Sequence, residues 1–241
     1  MEIIPVLDLM GGSVVRARMG EREHYRPIAT PLSRGSDPLD VARGLLGIGA
    51  FERFYVADLD GIAGKDDHRA VLRRFRSEFD LELWVDGGIA DLAAARDWLD
   101  AGLGHLVLGS ETQTDAALAR RLCGDRRIVL SLDFRGEDFL GPPALLAEPD
   151  AWPGRVIVMT LARVGSGAGP DLARIAAIRA RAGPRKLYAA GGIRGAADLA
   201  DLARAGVAGA LVASCLHNGA LTGRDIAALR DTHAYAQGRE P

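Results

Sequence analysis

Eight short apolar runs, most of them separated by helix-like stretches, are spread over 241 residues and predict an α/β fold of the (β/α)8 TIM-barrel class. Residues 87–110 and 191–214 align without a gap at a constant offset of 104, which points to a barrel built from a repeated half. The runs also tend to end in Asp, Gly or Ser, residue types suited to chemistry or anion binding where such a barrel opens. An open, doubly wound sheet is the competing architecture.

The first run, IIPVLD (3–8), is apolar along its length, as a parallel strand buried on both faces should be. The stretch RARMGEREHYRPIATPLSRGSD that follows is polar and rich in Pro and Gly, and is expected to form a mobile loop over the barrel mouth. DPLDVARGLLGIG begins with an Asp cap and carries an i, i+3, i+4 apolar pattern, so it reads as the first helix. RFYVAD (53–58), LELWVD (81–86), HLVLGS (105–110) and RIVLSLD (127–133) read as strands two to five. GEDFLGPPALLAEPDAWPG holds four prolines and has room only for a short fifth helix. RVIVMT (155–160), KLYAA (186–190) and GALVAS (209–214) complete the strands. The helices DLAAARDWLDAG, PDLARIAAIRARAG and AADLADLARAG are each expected to stop at their terminal Gly.

The duplication extends beyond its best-matched segment. VLDLMGG (6–12) answers SLDFRGE (131–137), and FYVADLDGIAG (54–64) answers VIVMTLARVGSG (156–167). One barrel domain over 1–241 is expected, made of half-barrels at about 1–124 and 125–241.

Composition narrows the function classes. The chain is 48% apolar and has a net charge of −2, which argues against a general nucleic-acid or membrane-surface binder. Lys65 and Lys186 are the only lysines among 30 basic residues, a bias that suggests GC-rich, bacterial coding. Cys123 and Cys215 are isolated and lack CxxC spacing, so neither a disulfide framework nor a zinc site is expected. MEIIPVLDLMGG has no basic region before its apolar run, and no run reaches membrane-spanning length; a cytoplasmic monomer or small homo-oligomer is expected.

Two groups of residues gather at the strand ends. Gly87 and Gly88 lie on a loop beside Gly109 and Ser110, while Gly191 and Gly192 lie on one beside Ala213 and Ser214. Such loops bring backbone N–H groups and helix N-termini close to a ligand, so they bind phosphate without Lys or Arg. Repeated, they give two phosphate sites on opposite sides of one mouth, although a lone Gly-Gly is more often just a tight turn. Asp8 and Asp133 end the first and fifth strands, which face each other across an eight-stranded barrel. One carboxyl can serve as general acid and the other as general base; alternatively, each caps the following turn. Thr160 is placed to hydrogen-bond a substrate oxygen or is simply a strand residue. Arg16, Asp86 and Arg163 are further candidate substrate contacts.

Together these motifs resemble the histidine-biosynthesis barrels, over essentially the whole chain. IIPVLDLMGGSVVR and VLSLDFR are similar to the strands carrying the family's two catalytic aspartates, here Asp8 and Asp133; AAGGI with ALVAS, and GGI with LVLGS, resemble its two phosphate-binding pairs. VLD at strand one resembles the ribotide isomerase branch rather than its cyclase sister. The resemblance implies an Amadori rearrangement of a phosphorylated aminoaldose, without metal or cofactor, and a catalytic Thr at Thr160. The pattern is broken in four places. Asp86 replaces the first of three glycines, Arg163 is followed by VGSGAG rather than Asp-Gly-Thr, Ala213 replaces a Gly, and the strand-five loop lacks Gly-Trp apart from a displaced Trp152. These departures suggest a paralogue with one strong phosphate contact, of the kind found beside methanopterin- and methanofuran-type one-carbon cofactor pathways.

Other classes fit less well. A Schiff-base aldolase needs a Lys inside the barrel; Lys186 precedes strand seven, leaving Lys65 in the second loop. His24, His68, His105, His217 and His233 are too dispersed for a metal hydrolase. Cys215 and His217 read as a small buried residue and a loop residue. A phospho-ligand-binding protein that has lost its activity remains the non-enzyme alternative.

Overall fold

The computed structural model describes residues 1–236, with side chains through Leu229. The His233 side chain and the end of the expected second half-barrel, 237–241, lie outside what is described. Eight parallel strands form the barrel: β1 (Glu2–Met10), β2 (Arg53–Asp58), β3 (Glu82–Asp86), β4 (His105–Gly109), β5 (Ile128–Arg135), β6 (Arg155–Thr160), β7 (Lys186–Ala190) and β8 (Gly209–Val212). They neighbour one another in chain order, and β8 returns to β1 with Glu2 opposite Gly209 and Pro5 opposite Val212. This last pairing closes the barrel and rules out the open sheet.

Helices α1 (Pro38–Leu46), α2 (Arg69–Glu78), α3 (Leu92–Ala101), α4 (Ala117–Leu122), α5 (Pro143–Ala147), α6 (Leu172–Arg179), α7 (Ala196–Arg204) and α8 (Gly223–Ala236) follow the strands. Local chemistry sets their starts. Asp37 accepts the N–H groups of Leu39 and Asp40, Asp91 those of Ala93 and Ala94, and Asp171 that of Arg174, each replacing partners the first turn lacks. The expected glycine stop holds for α3, where Gly102 is left-handed, but not for α6. That helix ends at Ala180, and Gly183 turns the chain only afterwards. Among the described residues, no helix is long and apolar enough to cross a membrane.

Strand alternation produces two cores. The outward set, including Leu83, Leu106, Leu130 and Val158, packs under the helices. The inward set includes Ile4, Tyr55, Trp84, Val107, Val129, Ile157, Tyr188 and Leu211. Trp84 and Tyr188 are 104 residues apart and meet edge to face with ring centroids 4.7 Å apart. The Arg53 and Arg155 guanidiniums cover Trp84 at 5.2 and 5.9 Å toward the barrel's lower end, while the cavity lies at the strands' C-terminal ends.

The segment after β1 roofs that cavity. Ser13–Val15 pairs antiparallel with β1, and Ile28 N–H donates back to the Val14 carbonyl. Gly11 and Gly12 donate to Asp60 Oδ2 and His68 Nε2, while His68 Nδ1 bonds the buried Asp58 at 2.7 Å. Further along, Met19 N–H reaches the Val164 carbonyl, Arg22 pairs with Glu111, and Thr30 meets His217. The roof also leans on α1, where a Cβ at Gly44 would sit 2.1 Å from the Leu32 carbonyl oxygen. Alanine normally improves a helix interior by about 1 kcal/mol over glycine. Gly44→Ala should instead lower the urea unfolding midpoint, because backbone rather than a flexible side chain occupies the space.

Candidate active site

The open end of the barrel holds a cavity of about 400 Å³, lined by residues from most strand ends and from the roof. Three carboxyls face into it from the inward strand positions: Asp8 on β1, Asp86 on β3 and Asp133 on β5. The register explains why. Asp8 stands opposite Ala57, Ala57 opposite Asp86, and Asp133 opposite Met159, all of them residues that line the cavity.

Each carboxyl is held well above its ordinary range. Removal from water pushes Asp8 up to about 7, against the pull of Arg22. Asp133 also reaches about 7 through burial, although Ser131 Oγ donates to it at 2.6 Å and Glu111 N–H at 3.3 Å. Burial, and then the nearby charge of Asp133, raise Asp86 to about 8. The Ser110 hydroxyl accepts Asp133 N–H at 2.9 Å and has one proton to place, toward the Leu140 carbonyl at 2.7 Å or Asp133 Oδ2 at 3.1 Å.

The two glycine-serine groups have different surroundings. Gly191, Gly192, Ala213 and Ser214 all line the cavity; Gly87, Gly88, Gly109 and Ser110 do not. In the first half, Asp86 Oδ1 takes the Gly88 N–H at 3.1 Å, and its Oδ2 covers Gly109, where a Cβ would come within 2.5 Å. In the second half, Ala190 stands where Asp86 would be and leaves the loop open. Gly191 and Gly192 have φ of 102° and 81°, and a Cβ on either would strike a backbone oxygen, of Thr160 at 2.4 Å or Gly169 at 2.2 Å. No other residue lets this loop lie so close to its neighbour.

Four further residues singled out in the sequence are placed differently from expectation or need qualifying. Thr160 is buried but does not line the cavity: it stands opposite Phe134 in the outward set, while Met159 takes the inward position. Arg163 also stays outside, spending its guanidinium on the Gly169 and Pro170 carbonyls at 3.0 and 3.3 Å. Arg16 lines the cavity but donates to the Ala29 carbonyl at 3.1 Å. Trp152 is buried with its Nε1 on the Leu145 carbonyl, away from the cavity.

Several cavity residues were not anticipated. Tyr55 is one residue of the inward set, and its phenol is raised by burial and by the charges of Asp86, Asp133, Asp8 and Glu111. Its parity with Ala57 places it there, whereas Asp58, the last residue of the strand, turns outward to His68. Glu111 and Arg22 pair across the wall from positions 89 residues apart, which no local pattern signals. Cys215 and His217, read from sequence as bystanders, both line the cavity. Burial pushes the Cys215 thiol up to about 11, which makes it a poor nucleophile. Burial and then Arg16 bring His217 down to about 4, so its imidazole is neutral at pH 7. Among the described residues, no three His, Cys, Asp or Glu side chains converge to hold a metal ion.

Comparison with known proteins places this arrangement. A family profile described as "Histidine biosynthesis protein" matches residues 2–147 and 149–222. A 1-(5-phosphoribosyl)-5-((5-phosphoribosylamino)methylideneamino)imidazole-4-carboxamide isomerase of Paracoccus denitrificans is 32% identical over 236 residues, covering 92% of this chain and 96% of its own. Its namesake in Halothermothrix orenii is 29% identical over 236 residues with the same coverage. An uncharacterized protein of Methanocaldococcus jannaschii is 29% identical over 232 residues, covering 94% of this chain and 97% of its own.

Proposed function

The chain belongs to the histidine biosynthesis protein family, and from that premise we propose that it is an aldose–ketose isomerase of a phosphorylated aminosugar, working through Asp8 and Asp133. The observation that carries this reading is the pair itself. Two carboxyls on opposed strands of one cavity, both near 7, populate the state with one proton between them at neutral pH. The backbone of Gly191, Gly192, Ala213 and Ser214 offers the phosphate a seat on the cavity wall.

The proton transfers balance within this pair. The protonated carboxyl gives its proton to the ring oxygen as the C1–O bond breaks, leaving an iminium at C1. The ionised carboxylate takes the proton from C2, and the electron pair forms an enaminol. The first carboxylate then recovers a proton from the C2 hydroxyl, while the second returns its proton to C1, and an aminoketose leaves. Phosphate binding away from the reacting carbons holds C1 and C2 between the two acids.

One feature favours a second substrate over the one in the relatives' names: Asp86 occupies the Gly88 N–H. On this second reading the protein is a paralogue that isomerises a singly phosphorylated compound in a methanopterin- or methanofuran-type pathway. Product chromatography with the doubly phosphorylated ribotide and with a singly phosphorylated ribosylamine tests both readings. Turnover of the ribotide at roughly 1–10³ s⁻¹ supports the relatives' reaction. Turnover of the singly phosphorylated compound alone supports the paralogue. If phosphate binds but neither compound is converted, the protein is a ligand-binding relative and the isomerase reading falls.

A further inference from the structure

The two halves of the cavity have opposite electrostatic character. At the offset of 104, Gly191, Gly192 and Ser214 answer Gly87, Gly88 and Ser110, but Ala190 answers Asp86 and Cys215 answers Glu111. The first half therefore carries two carboxyls where its twin has none, and Asp133 adds a third from the adjacent wall. Three of its donors are committed: Gly88 N–H goes to Asp86, Glu111 N–H to Asp133, and Arg22 pairs with Glu111. Asp86 is more than nine-tenths buried and lines the cavity, and no described residue donates a hydrogen bond to its Oδ2. That oxygen belongs to a side chain on the cavity wall and can accept a hydrogen bond from a bound ligand.

We propose that Asp86 is a specificity-determining residue: it accepts a nitrogen donor of the substrate, an amine, amidine or amino-heterocycle, at the end of the cavity opposite a single phosphate on loops β7 and β8. This rests on the isomerase-site reading above, which places that phosphate. The substrate is then polar in one direction, anionic at Gly191–Ser214 and donor-bearing at Asp86, rather than phosphorylated at both ends. A second phosphate would meet the oxygens of Asp86, Asp133 and Glu111, where the Gly88 and Glu111 N–H groups are already bonded to the first two.

Matched probes test the inference without the natural substrate. ω-Aminoalkyl phosphates, unsubstituted alkyl phosphates and alkanediol bisphosphates of equal chain length, in a series spanning the mouth, are titrated calorimetrically into the wild-type protein, Asp86→Ala and Asp86→Asn. Asp86→Ala matches the second half and frees Gly88; Asp86→Asn preserves shape and an acceptor for Gly88 N–H should the first variant not fold. In the wild type, the best aminoalkyl phosphate is expected to bind at least about tenfold more tightly than its alkyl and bisphosphate counterparts. Both variants should lose that preference, and Asp86→Ala should gain affinity for the bisphosphate. A wild-type preference for the bisphosphate, or an amine preference unchanged in both variants, overturns the inference. If the alkyl phosphates bind without discrimination, the phosphate seat stands and only the role of Asp86 falls. If none of the three classes binds, the phosphate seat itself fails and takes this inference with it.

Discussion

Replacing Asp8 or Asp133 with Asn should lower turnover by about 10²–10⁴-fold, the range contributed by a positioned general acid or base. Affinity for a phosphorylated ligand should change far less, because loops β7 and β8 are untouched. Asn matches Asp in size; its one carbonyl oxygen can take the Glu111 N–H while its NH2 turns to the Ser131 hydroxyl, which can accept as well as donate, so local structure should survive. What it lacks is the ability to take up and release a proton near pH 7. With both carboxyls held near 7, kcat/KM in the wild type should follow a bell with its maximum close to neutrality. The two limbs belong to the pair rather than to either residue. Each Asn variant should lose the bell, leaving residual activity with at most one limb. Full activity in either variant would remove the acid–base pair from the mechanism, as would a profile flat from about pH 5 to 9.

The second large effect concerns stability, and its sign follows from the direction of the shifts. Asp86 is raised from 3.8 to about 8 in the folded chain. Between those values the folded state binds a proton that the unfolded state releases, so stability falls as pH rises through the interval. Asp8 and Asp133 act in the same direction up to about 7. Asp86→Asn removes one of these costs while leaving Gly88 N–H an acceptor. Since each pKa unit corresponds to about 1.4 kcal/mol, the variant should be more stable than the wild type by a few kcal/mol above about pH 8, with the gain shrinking toward pH 4. Urea denaturation of both proteins across that range measures the difference. A gain independent of pH would mean that packing, not ionisation, sets the cost of Asp86. The stability gained would come with lost substrate discrimination, the usual exchange at a site kept strained for function.

Much of this molecule could be read before its coordinates. The runs at 53–58, 155–160 and 186–190 are strands with the expected bounds, and Asp37, Asp91 and Asp171 cap the helices that follow them. These features are local: a continuous apolar run, a carboxylate two or three residues before an amide, a left-handed Gly. Thr160 shows where local reading stops. It ends its strand as Asp8 and Asp133 nearly end theirs, but the pleat turns it outward opposite Phe134. A one-residue step reverses a side chain's face, and the end of an apolar run does not reveal that step.

An eightfold strand–helix repeat, a half-barrel echo at an offset of 104, the membership in a family of barrels, and Asp8, Asp86 and Asp133 as carboxylates at strand ends are all legible along the chain. These follow from periodicity and residue type, which are carried by neighbours in the chain. Folding in three dimensions is what brings β8 onto β1, carries Arg22 across the roof to Glu111, stands Tyr55 among the acids, and faces loops β7 and β8 to the cavity while loops β3 and β4 turn amides to Asp86 and Asp133. Each depends on groups far apart in sequence meeting in a space of low polarity. There an unpaired carboxyl is costly enough to capture the nearest N–H, and that capture separates two nearly identical Gly-Gly-Ile loops.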